Sequence, residues 1–200
     1  MTNTRTAKTR RMVGISILTA LVVVLSLLSL VVKVGPFNIT MTLVPIVIGA
    51  ALYGTRASAW LGGVFGFVVV ITCVTNVDAG GGILWNVNPI LTFLVCMVKG
   101  IAAGTCAGLV YGAVSKKSVS GGVLSAAIVS PVVNTGLFLA ALIFLFESTL
   151  VEWAGAAGKD VVTYILTVLV GINFIIELVL NLVLSSVIVR LIKYRQKGVM

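Results

Sequence analysis

Residues 90–114 read ILTFLVCMVKGIAAGTCAGLVYGAV, an apolar run of 25 residues that contains a single charged side chain, Lys99. At 1.5 Å per residue, a helix of this length crosses the ~30 Å hydrocarbon core of a bilayer. Glycines recur at every fourth position in its second half: Gly100, Gly104, Gly108 and Gly112. Because residues four apart share a helix face, this run predicts a membrane-spanning helix with a smooth groove for a neighbouring helix.

The composition of the whole chain agrees with a membrane protein. Of 200 residues, 60% are apolar and only 10% are charged, whereas soluble domains carry about 25% charged residues. The chain has no histidine, which excludes a Ser-His-Asp triad, an HExxH zinc site and an imidazole proton relay. We predict no catalytic residue, no metal site and no cofactor. The net charge of +9 is attributed to membrane-flanking loops rather than to a nucleic-acid partner.

A search for apolar windows predicts an all-α integral membrane protein with six transmembrane helices in one domain, residues 1–200. The six segments are 13–32, 41–54, 57–75, 90–114, 122–146 and 162–192. The first is too long for the apolar part of a secretory signal, so it is expected to be retained. The second has only 14 residues and contains Pro45 and Gly49. A segment shorter than roughly 17 residues does not span unaided, so neighbouring helices are expected to shield it.

The basic residues predict the orientation. With six spans, eleven cations fall on one side: the N-terminal Arg5, Lys8, Arg10 and Arg11, then Arg56, Lys116, Lys117, and the tail residues Arg190, Lys193, Arg195 and Lys197. Lys33 and Lys159 fall on the other side, with four of the five acids. Cationic loops stay in the cytoplasm, so both termini are predicted to be cytoplasmic in a multi-pass protein of the plasma membrane.

Ionisable and amide side chains inside the spans indicate a polar cavity. Burying a charged group in mid-helix costs roughly 2.5–3.5 kcal/mol on insertion scales, and both Lys99 and Glu177 lie there. Asn173, Glu177 and Asn181 recur every fourth residue, hence on one helix face. Hydrogen bonding between helices, worth about 0.6 kcal/mol per contact, is the alternative use. A carboxylate with a lysine nearby favours the cavity.

Two further segments are candidates for this cavity. In the fifth span, Pro131 removes a backbone donor close to Asn134, which predicts a kink that opens a pocket. The external segment 76–89 contains three consecutive glycines, Trp85 and Asn88. It is interpreted either as a lid over an external pocket or as a plain connector anchored by its tryptophan. A small-residue pair on the first span, Ser16 and Ala20, serves either internal packing or, if it faces outward, docking of another membrane protein.

Several motifs, in their order along the chain, resemble one family. They are 38–45 (NITMTLVP) leading to Gly49 and 52–54 (LYG), then 85–89 (WNVNP), 131–136 (PVVNTG) and 173–181 (NFIIELVLN). Together with the length, the six spans and the cytoplasmic termini, they resemble the substrate-binding S components of energy-coupling factor (ECF) vitamin transporters, most closely the pantothenate type.

The resemblance implies a function and partners. An S component captures a water-soluble vitamin from outside in a pocket made by the later spans and the external loops. It then docks on a transmembrane coupling subunit with two ATPase subunits, and the small-residue docking pair of the family matches Ser16 and Ala20. ATP hydrolysis belongs to those partners, in line with the absence of a GxxxxGK[ST] motif from this chain.

The polar residues favour pantothenate among the vitamins. The aromatic residues placed for an external pocket are Trp85, Trp153 and Tyr164, few for a stacked flat ligand. Lys99 with the amides of Asn134, Asn173 and Asn181 suits a small flexible acid with amide and hydroxyl groups, and Glu177 is expected to accept ligand hydroxyls or to pair with Lys99. Folate, riboflavin and cobalamin remain alternatives.

Two other functional classes are alternatives to a receptor. A membrane enzyme needs clustered carboxylates or a nucleophile with a base, and the five acids form no such cluster in the sequence. A stand-alone facilitator would also use a polar cavity, so only tight binding distinguishes a receptor from a conduit.

Overall fold

A computed structural model describes residues 2–30, 33–34, 37–38 and 41–197, with the side chains of 6–30, 41–171 and 174–190. These residues form helices and one short antiparallel hairpin, which the all-α prediction did not include. The elements are α1 (Thr2–Ser29), β1 (Lys33–Val34), β2 (Phe37–Asn38), α2 (Leu43–Tyr53), α3 (Thr55–Val74), α4 (Ala79–Val87), α5 (Pro89–Val114), α6 (Val119–Leu145), α7 (Glu147–Ala156), α8 (Val161–Tyr164), a π-helical turn (Ile165–Leu169) and α9 (Gly171–Lys197).

Five segments in the described part of the chain are long and apolar enough to cross a membrane: Thr6–Ser29, Thr55–Val74, Pro89–Val114, Val119–Leu145 and Val161–Arg190. The prediction of six full spans is therefore not confirmed. Helix α2 has 11 residues, about 16 Å at 1.5 Å per residue, which is near half of the hydrocarbon thickness.

Helix α2 is instead shielded inside the bundle. Leu43, Ile46 and Val47 are fully buried, and α2 contacts α1, α3, α5, α6 and α9. Pro45 lies in the first turn of α2, where the missing N–H leaves no helical hydrogen bond unmade. The expectation that neighbours cover this short segment is confirmed.

Glycines hold α3 and α5 together at backbone contact. A Cβ on Gly62 would overlap the carbonyl oxygen of Gly100, and a Cβ on Gly104 would overlap that of Ser58. Gly108 faces Thr55 in the same way, whereas Gly112 has open space around it. The predicted groove on α5 is thus occupied by α3 along three of its four glycines.

The external segment 76–89 is mostly helical, and so is segment 147–161. Asp78 caps α4 by accepting a hydrogen bond from the N–H of Gly81 at 3.2 Å. The three glycines belong to helix α4 and form neither a turn nor a loop. Because they have no side chain, α4 lies directly on the end of α3, with Gly81 against the Cys73 sulfur. Helix α7 buries Leu150 and Ala154 against Leu142 of α6.

Charge separates the two ends of the bundle. At the basic end, Arg11 donates a hydrogen bond to the carbonyl of Tyr53 at 3.0 Å, and Gly122 of α6 lies against Ser115 at the end of α5. Lys8, Arg10, Arg56, Lys116, Lys117 and Arg190 belong to this end. The acidic end is capped by α4, α7 and α8, and it carries Asp78, Glu147, Glu152 and Asp160 together with Lys159. The side chains of Arg5, Lys33, Lys193, Arg195 and Lys197 lie outside the described residues.

Candidate ligand-binding cavity

A cavity of about 120 Å³ lies between the long helices near the acidic end. At the acidic end, the lining comes from Asp78 just before α4, from Gly81 and Leu84 of α4, and from Phe146 at the end of α6. Helices α1, α3, α5, α6 and α9 supply the walls, together with Thr42, which precedes α2. The cavity is therefore enclosed by the whole bundle rather than by a single pair of helices.

Lys99 brings a positive charge to the cavity wall. Its Nζ lies 4.8 Å from the centre of the Phe138 ring, so the ammonium is stabilised by the face of an aromatic ring on α6. The close α3–α5 contact at Gly100 holds the helix that carries Lys99. This ammonium can bind a ligand carboxylate without leaving the bundle.

Asn134 and Glu177 join Lys99 in the lining. Each is only 5% exposed, Asn134 on α6 and Glu177 on α9. The three residues come from three different helices and border one space. A cation, an amide and a carboxylate in a site of low dielectric form strong hydrogen bonds with a polar ligand.

Asn181 and Asn173 take different positions relative to this cavity. Asn181 is 2% exposed and donates from Nδ2 to the backbone carbonyl of Glu177 at 2.9 Å. It lies one turn beyond Glu177 toward the basic end, just outside the lining. Asn173 belongs to the backbone of α9, and its side chain lies outside the described residues.

The structure does not bring Trp85 and Asn88 into the lining. Trp85 packs on the cluster of Val70, Cys73 and Cys96. Asn88 caps α5, because its Oδ1 accepts the N–H of Leu91 at 3.1 Å. The segment 76–89 contributes Asp78, Gly81 and Leu84 instead, so a ligand-binding role of Trp85 and Asn88 stays a prediction.

Sequence reasoning missed a group of hydroxyls on the opposite wall: Ser26, Ser29 and Thr42. The Ser26 hydroxyl donates to the carbonyl of Val22 at 2.8 Å and lies 3.1 Å from the Thr42 hydroxyl. Hydroxyls in apolar helices usually bond the carbonyl four residues earlier, so nothing in their spacing marks them as cavity residues. Only the approach of α2 to α1 brings them together.

The aromatic lining also differs from the expectation. Trp85, Trp153 and Tyr164 are not part of the lining, whereas four phenylalanines are: Phe65, Phe138, Phe146 and Phe174. The prediction of few aromatic side chains near the polar groups was wrong, because phenylalanines from three helices converge on the cavity. Their rings give a ligand apolar faces between the polar groups.

Ser16 and Ala20 are both exposed on α1. Exposed aliphatic residues surround them, including Ile17 at 63% and Leu21 at 38% exposure. The pair therefore faces outward and does not serve internal packing. Of the two interpretations of this motif, internal packing and an outward-facing surface, the outward-facing one applies.

Comparison with known proteins agrees with the sequence motifs. The family profile described as "ECF transporter, substrate-specific component" matches residues 10–189. The chain is similar to the pantothenic acid transporter PanT of Lactococcus lactis subsp. cremoris (strain MG1363), with 25% identity over 186 residues, covering 88% of this chain and 89% of the relative. No solved structure matches the chain. With a family match over most of its length and a multi-pass helical bundle around a polar cavity, the chain belongs to the S components of ECF transporters, which bind transport substrates and are not enzymes.

Proposed function

We propose that this S component captures pantothenate from outside the cell and delivers it to an ECF coupling complex for ATP-driven uptake. The observation that carries the proposal is the lining of one cavity by Lys99, Asn134 and Glu177. These groups have the chemistry of a site for a small acid that also carries amide and hydroxyl groups.

Each polar part of pantothenate has a complementary group. The carboxylate pairs with the Lys99 ammonium, and the ligand amide hydrogen-bonds with Asn134. The ligand hydroxyls donate to Glu177 and exchange hydrogen bonds with Ser26 and Thr42. The phenylalanine rings contact the dimethyl part of the ligand.

Two further observations support this ligand. The relative from Lactococcus lactis is named as a pantothenic acid transporter. A cavity of about 120 Å³ is small among ligand pockets, which disfavours the much larger folate and cobalamin. The phenylalanine faces make riboflavin the alternative that most needs testing.

The proposed orientation follows from charge. The basic end of the bundle stays in the cytoplasm with both termini, because cationic flanks are retained there. The cavity near the acidic end then opens toward the outside of the plasma membrane, where a receptor for uptake must collect its ligand.

The proposed partners are a coupling transmembrane subunit and two ATPase subunits. Docking uses the face of α1 that carries Ser16 and Ala20, where small side chains permit close helix contact. This chain has no phosphate-binding GxxxxGK[ST] loop, so ATP hydrolysis is assigned to the partners.

The test is a ligand panel on the purified protein in detergent, with the melting temperature as readout. Pantothenate, folate, riboflavin and cobalamin are compared at equal concentration. A ligand at a thousandfold excess over its Kd stabilises the folded state by about 4 kcal/mol, so pantothenate is expected to give a large shift and the others none. The alcohol analogue of pantothenate, which lacks the carboxylate, is the matched control and should shift the melting temperature less.

Other outcomes of this panel would contradict the proposal. A shift with another vitamin alone would reassign the ligand and leave the receptor function intact. No saturable binding of any vitamin would favour a stand-alone facilitator, because a scavenging receptor is expected to bind near nanomolar, about −12 kcal/mol.

A further inference from the structure

A cluster of buried oxygen atoms lies between α6 and α9, at the floor of the cavity. Ser130, Asn134 and Asn181 are 0%, 5% and 2% exposed. Within the described part of the chain, Ser130 Oγ, Asn134 Oδ1 and Asn181 Oδ1 have no hydrogen-bond partner. Buried polar atoms in folded proteins are nearly always satisfied, so three such oxygens on two adjacent helices call for a common explanation.

These oxygens lie at neighbouring levels of two adjacent helices. Helices α6 and α9 run antiparallel, since Ala127 and Ile188 belong to one buried cluster near the basic end and Leu142 and Leu169 belong to another near the acidic end. Asn134 and Glu177 are the lining residues of α6 and α9 that lie nearest the basic end. One turn further toward that end leads to Ser130 on α6 and to Asn181 on α9.

Two more oxygens are adjacent to these residues along the two helices. Pro131 has no N–H, so the carbonyl of Ala127, four residues earlier, receives no helical hydrogen bond. Glu177, one turn from Asn181, adds a carboxylate that is 5% exposed. The Nδ2 of Asn181 already donates to the Glu177 carbonyl, so its amide oxygen is the atom that is left to bind a ligand.

The chemistry of this cluster selects a class of ligand. Its atoms are hydroxyl, amide, carbonyl and carboxylate oxygens, which suit hard cations, with neither thiol nor imidazole for a transition metal. Glu177 is the one carboxylate named in this cluster, whereas calcium sites in proteins use several. We propose that Ser130, Asn134, Asn181, the Ala127 carbonyl and the Glu177 carboxylate bind an alkali metal cation, Na⁺ or K⁺, at the floor of the cavity.

Such a cation would stabilise the α6–α9 contact. It also shares Asn134 and Glu177 with the cavity above, so its occupancy alters the charge that a vitamin meets. The cation site itself does not depend on the identity of the vitamin, and its test uses the protein without any vitamin.

The experiment measures the melting temperature of the purified chain in NaCl, KCl and choline chloride at equal ionic strength. We expect a saturable rise of several degrees with one alkali cation over choline. Ser130→Ala should reduce the affinity for that cation at least tenfold, and Asn181→Asp, which adds a carboxylate oxygen, should raise it. Ser185→Ala is the matched control, because Ser185 is a buried hydroxyl on α9 that already donates to the Leu182 carbonyl at 2.6 Å.

Equal melting temperatures in all three salts would overturn the proposal. So would a cation-dependent rise that Ser130→Ala and Asn181→Asp both leave unchanged, because the ion would then bind elsewhere. Since Asn181→Asp is expected to strengthen binding, a folding defect of Ser130→Ala does not leave the question open. A cation effect without vitamin binding would contradict only the proposed vitamin-binding function. Vitamin binding without a cation effect would contradict only the cation site.

Discussion

Lys99 is the residue whose position has the strongest consequence for ligand choice. An ammonium in mid-helix requires a counterpart for its charge, and the ring of Phe138 at 4.8 Å supplies part of it. A ring face does not neutralise a full positive charge, so a ligand carboxylate gains strongly from this position.

We expect Lys99→Gln to weaken pantothenate binding about tenfold to a hundredfold. A hydrogen bond to a charged group contributes about 1.5–3 kcal/mol, and 1.4 kcal/mol corresponds to a factor of ten in Kd. Isothermal titration calorimetry of both proteins measures the change. The alcohol analogue should bind the parent protein and Lys99→Gln with the same Kd. If the variant loses as much affinity for the alcohol as for the acid, Lys99 does not bind the ligand carboxylate.

Asn173→Ala and Glu177→Ala should each weaken vitamin binding while the chain stays folded. Glu177 lines the cavity, and Asn173 precedes it by one helical turn. Ligand titration, with the melting temperature of the unliganded protein as the folding control, measures both effects. If affinity is unchanged in both variants and in Lys99→Gln, the pocket lies elsewhere.

At the scale of elements, the glycine seam between α3 and α5 was largely predictable. Glycines at every fourth position indicate close helix packing in a membrane, because the lipid offers no hydrophobic drive and contact depends on small residues. The sequence did not reveal that Gly112 stays open, since that depends on where α3 begins.

Gly62→Ala or Gly104→Ala should lower the free energy of unfolding by about 1–3 kcal/mol, the usual effect of overpacking. In both cases the added methyl group meets a backbone carbonyl that has no room to move. Gly112→Ala is the control, because it has open space around it and alanine favours the helix by roughly 1 kcal/mol. Thermal unfolding in detergent compares the three; equal melting temperatures would refute the close packing of the seam.

Other elements escaped prediction. The π-helical turn Ile165–Leu169 interrupts the last span just before Asn173, and its hydrophobicity does not differ from that of the flanking helix. Helix α4 contains three glycines that usually disfavour helices, and packing against Cys73 and Asn76 outweighs that tendency.

At the scale of the whole molecule, the separation of charge between the two ends predicts membrane orientation. Glu152 and Lys117 are exposed at opposite ends of the bundle. In intact cells, Glu152→Cys should react with a membrane-impermeant maleimide and Lys117→Cys should not. The parent chain gives the background from Cys73, Cys96 and Cys106, of which the first two are buried. Labelling of Lys117→Cys from outside would reverse the proposed orientation.

The outward face of α1 predicts where the coupling subunit docks. Ser16→Trp and Ala20→Trp should abolish co-purification with the coupling complex and stop uptake, because a bulky ring prevents close helix contact. Binding of the vitamin to the isolated chain should remain unchanged. Leu109→Trp is the control, since Leu109 is 59% exposed on α5 and away from the proposed interface. Normal assembly of both α1 variants would exclude this face.

The sequence by itself determined that the chain lies in a membrane, which helices are long enough to span it, and that Lys99, Asn134 and Glu177 need a polar environment. These conclusions follow from local properties, because the bilayer penalises each charge and each unpaired backbone group wherever it occurs. Only the tertiary structure decided which helices enclose the short helix α2 and that Ser26, Thr42 and Phe138 share a cavity with Lys99. Serine, threonine and phenylalanine cost little to bury in an apolar helix, so their role depends on which helices meet, and that is set by packing between distant segments.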